Sequence, residues 1–155
     1  MIREAARKSQ NHYEVRQLVE DICRDVASKD YLSECLAIYH YVCARTRYMR
    51  DPRTVELIRA PYLIAIDLRH GRRVSGDCDD LSALLVAMFM ATGAQCRIVT
   101  VAFRDVIYKG DRQYSHVFCQ VREPKTGRWI TFDPVAGLKT REMLARATHA
   151  KVWNV

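Results

Sequence analysis

The sequence predicts an α+β domain in which several helices precede an antiparallel sheet. Amphipathic helical stripes dominate the first half of the chain, and the segment 81–91 is apolar nearly all round. Three segments rich in β-branched and aromatic residues follow from residue 96 onward. The 155 residues, 49% of them hydrophobic, suffice for one core. We therefore expect a single domain over 1–155, with a helical part over about 1–92, a sheet over about 96–137 and a closing segment over 138–155.

The N-terminal part predicts two long helices and a short one. The first spans 11–28 and has one apolar stripe: Val15, Leu18, Val19, Ile22 and Val26. The second spans 31–48 with Asp30 as a candidate N-cap, and its inward face should comprise Leu32, Cys35, Leu36, Tyr39, Val42 and Cys43. "RDPRTVELIRAP" is typical of a short helix with Asp51 as N-cap, Pro52 at the first helical position and Pro61 beyond its end. Residues 62–75 predict no particular element.

The stretch "SGDCDDLSALLVAMFMATG", residues 75–93, predicts a buried central helix. Asp77 suits the N-cap position, which makes Cys78 the first helical residue and puts Asp80 at N3, as in a capping box. The acids of the first turn complement the helix dipole, and Gly93 should end the helix. A helix that is apolar on nearly all sides belongs in the core.

The second half predicts strands at "CRIVTVAF" (96–103), "YSHVFCQV" (114–121) and "RWITFD" (128–133). "EPKTG" (123–127) is a turn signal, so the last two strands should form an antiparallel hairpin. The tail from Thr140 to Ala150 predicts a closing helix.

Composition excludes several classes of protein. The net charge is +7, but the Lys and Arg residues are scattered, without an RNP-like strand or zinc-finger spacing, so we expect no nucleic-acid partner. The six cysteines show no Cys-x-x-Cys spacing, so we expect no structural zinc and no other cofactor. No secretion signal and no apolar run near 18–20 residues is present. We therefore expect a cytoplasmic protein without disulfides or a membrane partner.

Cys78 is the cysteine whose surroundings indicate chemistry. The helix N-terminus favours its thiolate, the neighbouring aspartates oppose it, and a nearby imidazole would activate it. His116 is the candidate, because a hairpin centred between Pro124 and Lys125 makes it a direct cross-strand neighbour of Asp133. A one-residue slip would put Asp133 on the opposite face. The residues alone leave open a structural histidine, a strand-ending aspartate and a packing cysteine.

A metal site formed by the four consecutive residues 77–80 is the weaker alternative for this stretch. Consecutive helical side chains splay about 100° apart, so they do not converge on one ion. Asp79 and Asp80 are instead expected to cap the helix or to bind a nearby loop such as Arg72 and Arg73.

The three segments "GDCDDLSALLVAMFMATGAQCRIVTV", "YSHVFCQV" and "GRWITFDP" resemble the transglutaminase-like superfamily, over about residues 45–137. The matching positions are Gly76, Cys78, Gly93, Arg97, His116, Trp129, Asp133 and Pro134. The longer stretch "DPRTVELIRAP…GDCDD" is similar to small stand-alone members from bacteria and their phages, and this similarity implies a phage- or prophage-encoded, virion-associated protein as one alternative. The resemblance implies a papain-like core with Cys78 as nucleophile, His116 as acid and base, and Asp133 as the residue that orients the histidine.

The implied reaction is acyl transfer on a protein or peptide substrate. A thioester on Cys78 would be released by water, as in a peptidase or amidase, or by an amine, as in a cross-linking enzyme, and we favour hydrolysis. A non-catalytic interaction module is the third alternative. The backbone N–H of Cys78 should be one oxyanion donor. Candidates for the second donor and for substrate contacts are Asp77, Tyr62, Tyr114 and Trp129.

Overall fold

The computed structural model describes residues 1–27, 29–50, 58–108 and 110–155. Over these ranges it contains six α-helices, none of which is long and apolar enough to cross a membrane. They are α1 (Ile2–Ser9), α2 (Tyr13–Cys23), α3 (Tyr31–Arg45), α4 (Pro61–Arg69), α5 (Cys78–Ala91) and α6 (Thr140–Ala145).

The strands form one four-stranded sheet and two small pairs. They are β1 (Thr46–Tyr48), β2 (Val74–Gly76), β3 (Cys96–Ala102), β4 (Ile107–Tyr108), β5 (Asp111–Arg112), β6 (His116–Arg122), β7 (Trp129–Phe132) and β8 (His149–Asn154). The main sheet is antiparallel with the strand order β7-β6-β3-β8. β1 and β2 pair in parallel, and β4 and β5 pair as antiparallel strands in the part of the chain that connects β3 to β6. The predicted α+β fold class is therefore confirmed.

The central helix α5 organises the core. It contacts α1, α2, α3 and α4 on one side and β3 and β6 on the other. Every residue from Asp80 to Phe89 is buried, as the apolar pattern predicts. The helix ends as a Schellman motif: Gly93, at φ +86°, donates to the Met90 carbonyl, and Ala94 donates to the Phe89 carbonyl. The predicted bounds of α5 are confirmed at both ends.

The two N-terminal helices are shorter than predicted. α2 ends at Cys23, not at residue 28, and the unpredicted α1 precedes it. α3 begins after Asp30, which accepts from the Ser33 amide as expected, but it ends at Arg45. Residues 46–48 form β1 because they pair with β2, and this pairing outweighs their helical pattern. On α3 the predicted inward Leu36 is 40% exposed, whereas Ile38 is buried.

The segment before the central helix also differs from the prediction. Asp51 and Pro52, with most of the short helix predicted there, lie outside the described residues. Pro61 does not follow a helix but begins α4, at a helical position where its missing N–H costs no hydrogen bond. α4 and β2 occupy most of the region 62–75, which the sequence left unassigned.

The closing segment contains a short helix and a strand. α6 ends at Ala145, so the prediction of a helix up to Ala150 is wrong at its C-terminal end. Residues His149–Asn154 instead form β8 along β3, beginning with a hydrogen bond from the Thr148 amide to the Ala102 carbonyl. β8 covers the edge of β3 that would otherwise expose unpaired backbone groups.

The β6–β7 hairpin forms as predicted, but its register differs by two residues. Cys119 pairs with Phe132 and Gln120 with Thr131, so paired residue numbers sum to 251 instead of 249. A hydrogen bond from the Glu123 amide to the Arg128 carbonyl closes the turn, in which Gly127 adopts a φ of +70°. Because side chains alternate with a period of two, this shift keeps every side chain on its predicted face.

Candidate active site

Cys78 lies at the first position of α5, half-buried. The Asp77 carboxylate caps the helix and accepts from the amides of Asp79 and Asp80 at 2.9 and 3.1 Å. The Cys78 thiol donates to Oδ1 of Asp79 over 3.7 Å. Burial, followed by the charges of Asp79 and Asp77, raises the pKa of the thiol to about 12, whereas a hydrogen bond from the Val117 backbone lowers it. The resting thiol is therefore protonated at neutral pH.

The first turn of α5 docks on the edge of β6 at Val117. β7 ends at Phe132, opposite Cys119, so it does not pair with the start of β6. The Val117 carbonyl accepts instead from Ser82 Oγ at 3.2 Å, and the Val117 backbone lowers the pKa of the neighbouring Cys78. A backbone carbonyl that a strand would otherwise satisfy is thus satisfied by the helix. This docking puts Cys78 beside the residue that follows His116.

His116 and Asp133 form a hydrogen-bonded pair in the described structure. His116 Nε2 lies 2.8 Å from Oδ2 of Asp133, and the two side chains are 9% and 0% exposed. In the observed register Asp133 lies across from Phe118, so His116 is its diagonal neighbour on the same face. The predicted proximity is therefore present, although the direct cross-strand pairing is not.

The Asp133 carboxylate accepts three hydrogen bonds and shares a fourth. Oδ1 accepts from the amides of Val135 and Ala136 at 2.9 and 2.8 Å, and Oδ2 accepts from His116. Thr140 Oγ1 lies 3.0 Å from Oδ2 and shares its single proton between Asp133 and the Gly137 carbonyl, which is 2.6 Å away. Burial raises the pKa of Asp133, but the hydrogen bonds from His116 and the two amides outweigh it, so the pKa lies below its usual value. Asp133 is thus a buried, ionised acceptor of fixed orientation.

The remaining predicted residues are dispersed. Tyr62 stacks on His12, with ring centroids 4.4 Å apart. Trp129 begins β7, at the opposite end of that strand from Asp133, and lies under the Arg97 guanidinium at 4.0 Å. Tyr114 lies half-buried two residues before His116. Among the described residues, none of these rings makes a hydrogen bond or ring contact with Cys78, so their roles in binding stay predictions.

The acids of the first turn bind other partners than the predicted arginines. Oδ1 of Asp80 accepts from the Arg59 backbone amide at 2.7 Å, and it is Asp67 that pairs with the Arg72 guanidinium, at 2.8 Å. In the described ranges, no group of three or more His, Cys, Asp or Glu side chains is arranged to hold a metal ion.

Tyr48 lies near the start of α5, a position that the sequence did not indicate. The parallel pairing of β1 with β2 puts it opposite Gly76, two residues before Cys78. Burial, followed by the charge of Cys78, raises the pKa of the Tyr48 phenol, and the residue is 48% exposed. Ser82 and Thr140 were also missed, since neither belongs to a recognisable motif.

In the described chain no hydrogen bond joins Cys78 to His116; the thiol is directed to Asp79. Catalytic hydrogen bonds are often long or absent without substrate, because they form only in the reacting complex. Since Nε2 of His116 is engaged by Asp133, Nδ1 is the nitrogen that can accept a proton.

Comparison with known proteins gives one family and a set of similar folds. The model of the transglutaminase-like superfamily matches residues 16–134. A candidate protease from Parabacteroides distasonis superimposes with a TM-score of 0.61 at 12% identity, covering 87% of this chain and 26% of that one. A candidate cysteine protease from Cytophaga hutchinsonii gives 0.56 at 17% identity, with 91% and 46% covered. No match was found among curated proteins.

The chain thus spans about a quarter and about half of the lengths of these two structures. Likeness at such low identity concerns the fold alone, and it confirms the papain-like fold that the sequence resemblance implied.

Proposed function

This chain belongs to the transglutaminase-like superfamily, and on that basis we propose that it is a thiol-dependent acyl-transfer enzyme that hydrolyses an amide bond of a peptide or protein. The observation that carries the proposal is the buried His116–Asp133 hydrogen bond, next to a helix that begins with Cys78. An orienting carboxylate, an imidazole and a thiol are the three groups that cysteine acyl transfer requires.

In the proposed reaction, His116 Nδ1 accepts the thiol proton as Cys78 Sγ attacks the substrate carbonyl carbon. The C–N bond of the tetrahedral intermediate then breaks, His116 returns the proton to the leaving amine, and a thioester remains on Cys78. Water attacks the thioester with His116 again as base, which releases a carboxylic acid and the free thiol. Asp133 keeps the proton of the neutral imidazole on Nε2 throughout.

The oxyanion needs two donors in this scheme. The Cys78 backbone N–H is the first, at the N-terminus of α5, and we assign the Tyr48 hydroxyl as the second. The pairing of Tyr48 with Gly76, two residues before Cys78, supports this assignment.

The hydrogen bond from the Cys78 thiol to Asp79, together with the raised pKa of the thiol, indicates how Cys78 is activated. A thiol with a pKa of about 12 is not stored as a thiolate–imidazolium pair at neutral pH. We therefore propose that His116 acts as a general base whenever the Cys78 thiol attacks an electrophile, a substrate carbonyl or an alkylating agent alike, as the thiol turns away from Asp79. Transamidation would use the same thioester, with an amine in place of water as the acceptor.

A second candidate is a non-catalytic module that retains the fold. The specific observation in its favour is the hydrogen bond between the Cys78 thiol and Asp79, with none to His116 in the described ranges. In such a protein the thiol would only pack at the start of the helix.

Alkylation of Cys78 by iodoacetamide, followed by peptide mass spectrometry at neutral pH, separates the two candidates. If His116 is the base, replacing it with alanine should slow labelling by at least about tenfold. Replacing the exposed His70 with alanine provides the matched control and should leave the rate unchanged. Equal rates in wild type and His116→Ala would reject the enzyme and favour the module. A glutamine peptide offered with a primary amine then distinguishes hydrolysis from transamidation by product mass.

A further inference from the structure

A cavity of about 570 Å³ opens beside α6, outside the hydrogen bonds of the proposed triad. Phe103 and Met143 form its half-buried apolar floor. Its rim consists of four exposed charged side chains: Arg104, Lys139, Glu142 and Arg146. The cavity is thus amphipathic, with three cations against one carboxylate.

The cavity lies on the same face of the sheet as His116. Met143 packs in a small apolar cluster with Val101 and Phe118, and Val101 pairs directly with His116. Lys139 precedes Thr140, the residue that hydrogen-bonds to Asp133, and Met143 follows Thr140 by about one helical turn. A ligand in the cavity would therefore lie beside the residues that pack against and hold the His116–Asp133 pair.

The cations on the rim are not neutralised by the fold. Among the described residues, no ion pair includes Arg104, Lys139 or Arg146. Other arginines of the chain are paired, such as Arg72 with Asp67 and Arg69 with Glu14. Three unpaired cations around an apolar floor favour an anionic ligand that also carries apolar surface.

We propose that this cavity is a subsite for acidic side chains of the peptide or protein substrate, located on the His116 side of the proposed catalytic site. The inference rests on the proposed function for the identity of its ligand. The acidic residue would lie on the same extended segment as the scissile amide, a few residues along the chain from it. The methylene groups of that segment would lie on Phe103 and Met143.

The test measures binding without turnover. Two fluorescein-labelled peptides, each with one central glutamine, differ only in a flanking Glu-Glu pair that is Gln-Gln in the second peptide. Their affinity for the full chain carrying Cys78→Ala is read by fluorescence anisotropy at low and high salt. Arg104→Glu with Arg146→Glu reverses the rim charge, and Arg141→Glu, on α6 but not lining the cavity, is the control for a charge change nearby. Circular dichroism establishes that each variant is folded.

The acidic peptide should bind about tenfold more tightly than the neutral one at low salt, and high salt should reduce this preference. The preference should disappear in the double variant and persist in Arg141→Glu. Equal affinities, or equal losses in both variants, would overturn the subsite. If inorganic phosphate, at the same concentration of negative charge as the acidic peptide, displaced that peptide, the result would overturn the subsite in favour of a site for small anions. Because these measurements need no thiol, a failure of Cys78 chemistry would remain distinguishable from a failure of the subsite.

Discussion

Replacing Asp79 with asparagine should make Cys78 more reactive. The Asp79 carboxylate accepts a hydrogen bond from the Cys78 thiol over 3.7 Å. After burial, its charge is the largest cause of the raised pKa of Cys78. Asparagine has nearly the same shape and retains an acceptor oxygen, but it removes the negative charge that opposes the thiolate.

The size of the effect follows from Coulomb's law. Two unit charges 3.7 Å apart interact by about 1 kcal/mol at the dielectric constant of water and by about 4 kcal/mol at an effective value of 20. Because 1.36 kcal/mol corresponds to one pKa unit, the pKa of Cys78 should fall by about 1 to 3. Thiolate nucleophilicity declines with pKa at a Brønsted slope of about 0.5, so alkylation at neutral pH should accelerate about 3- to 30-fold.

The assay is iodoacetamide labelling of Cys78 between pH 6 and 9, with the buried Cys96 as an internal reference. Asp25→Asn neutralises an exposed carboxylate between α2 and α3 and serves as the control variant. An unchanged or slower rate in Asp79→Asn would refute the inference that Asp79 holds the thiol in its protonated form.

Three further predictions concern the residues that position the site. Ser82→Ala leaves the Val117 carbonyl unsatisfied and should destabilise the fold by about 1–3 kcal/mol in urea denaturation; an unchanged midpoint would show that the helix does not need this anchor. Thr140→Val removes a hydrogen bond to the Asp133 carboxylate and should cost about 1.5–3 kcal/mol, whereas Thr140→Ser should recover most of it. The folded-state pKa of Asp133 is lowered, so its ionised form contributes stability above an unfolded pKa of about 3.9 and loses it as the pH falls through the folded value. As the pH falls below about 4, the melting temperatures of wild type and Asp133→Asn should therefore converge. A difference that stays constant with pH would contradict this linkage.

Local patterns were sufficient for the elements that interact mainly with their own sequence neighbours. The bounds of α5 follow from a capping aspartate, an apolar run and a glycine, each of which acts within one or two turns. The β6–β7 hairpin follows from its turn residues and alternation. The order of Cys78, His116 and Asp133 was likewise readable from these elements.

Elements decided by distant partners were misassigned. Residues 46–48 carry a helical pattern but pair with β2 about thirty residues later, and β8 exists because β3 offers it a free edge. The hairpin register depended on Gly127, whose left-handed conformation closes a longer turn than the sequence suggested. Side-chain alternation preserved the face of His116 and Asp133 despite that error.

The sequence by itself determined which groups could perform chemistry and on which elements they lie, because capping, periodicity and turn signals are local. Only the tertiary structure decided which of these groups lie next to one another. The unpaired edge of β6 receives Ser82, Thr140 and two backbone amides bind Asp133, and the β1–β2 pairing puts Tyr48 opposite Gly76, two residues before Cys78. Each of these contacts joins segments that share no local signal, since a hydrogen bond between distant residues exists only once the chain has packed.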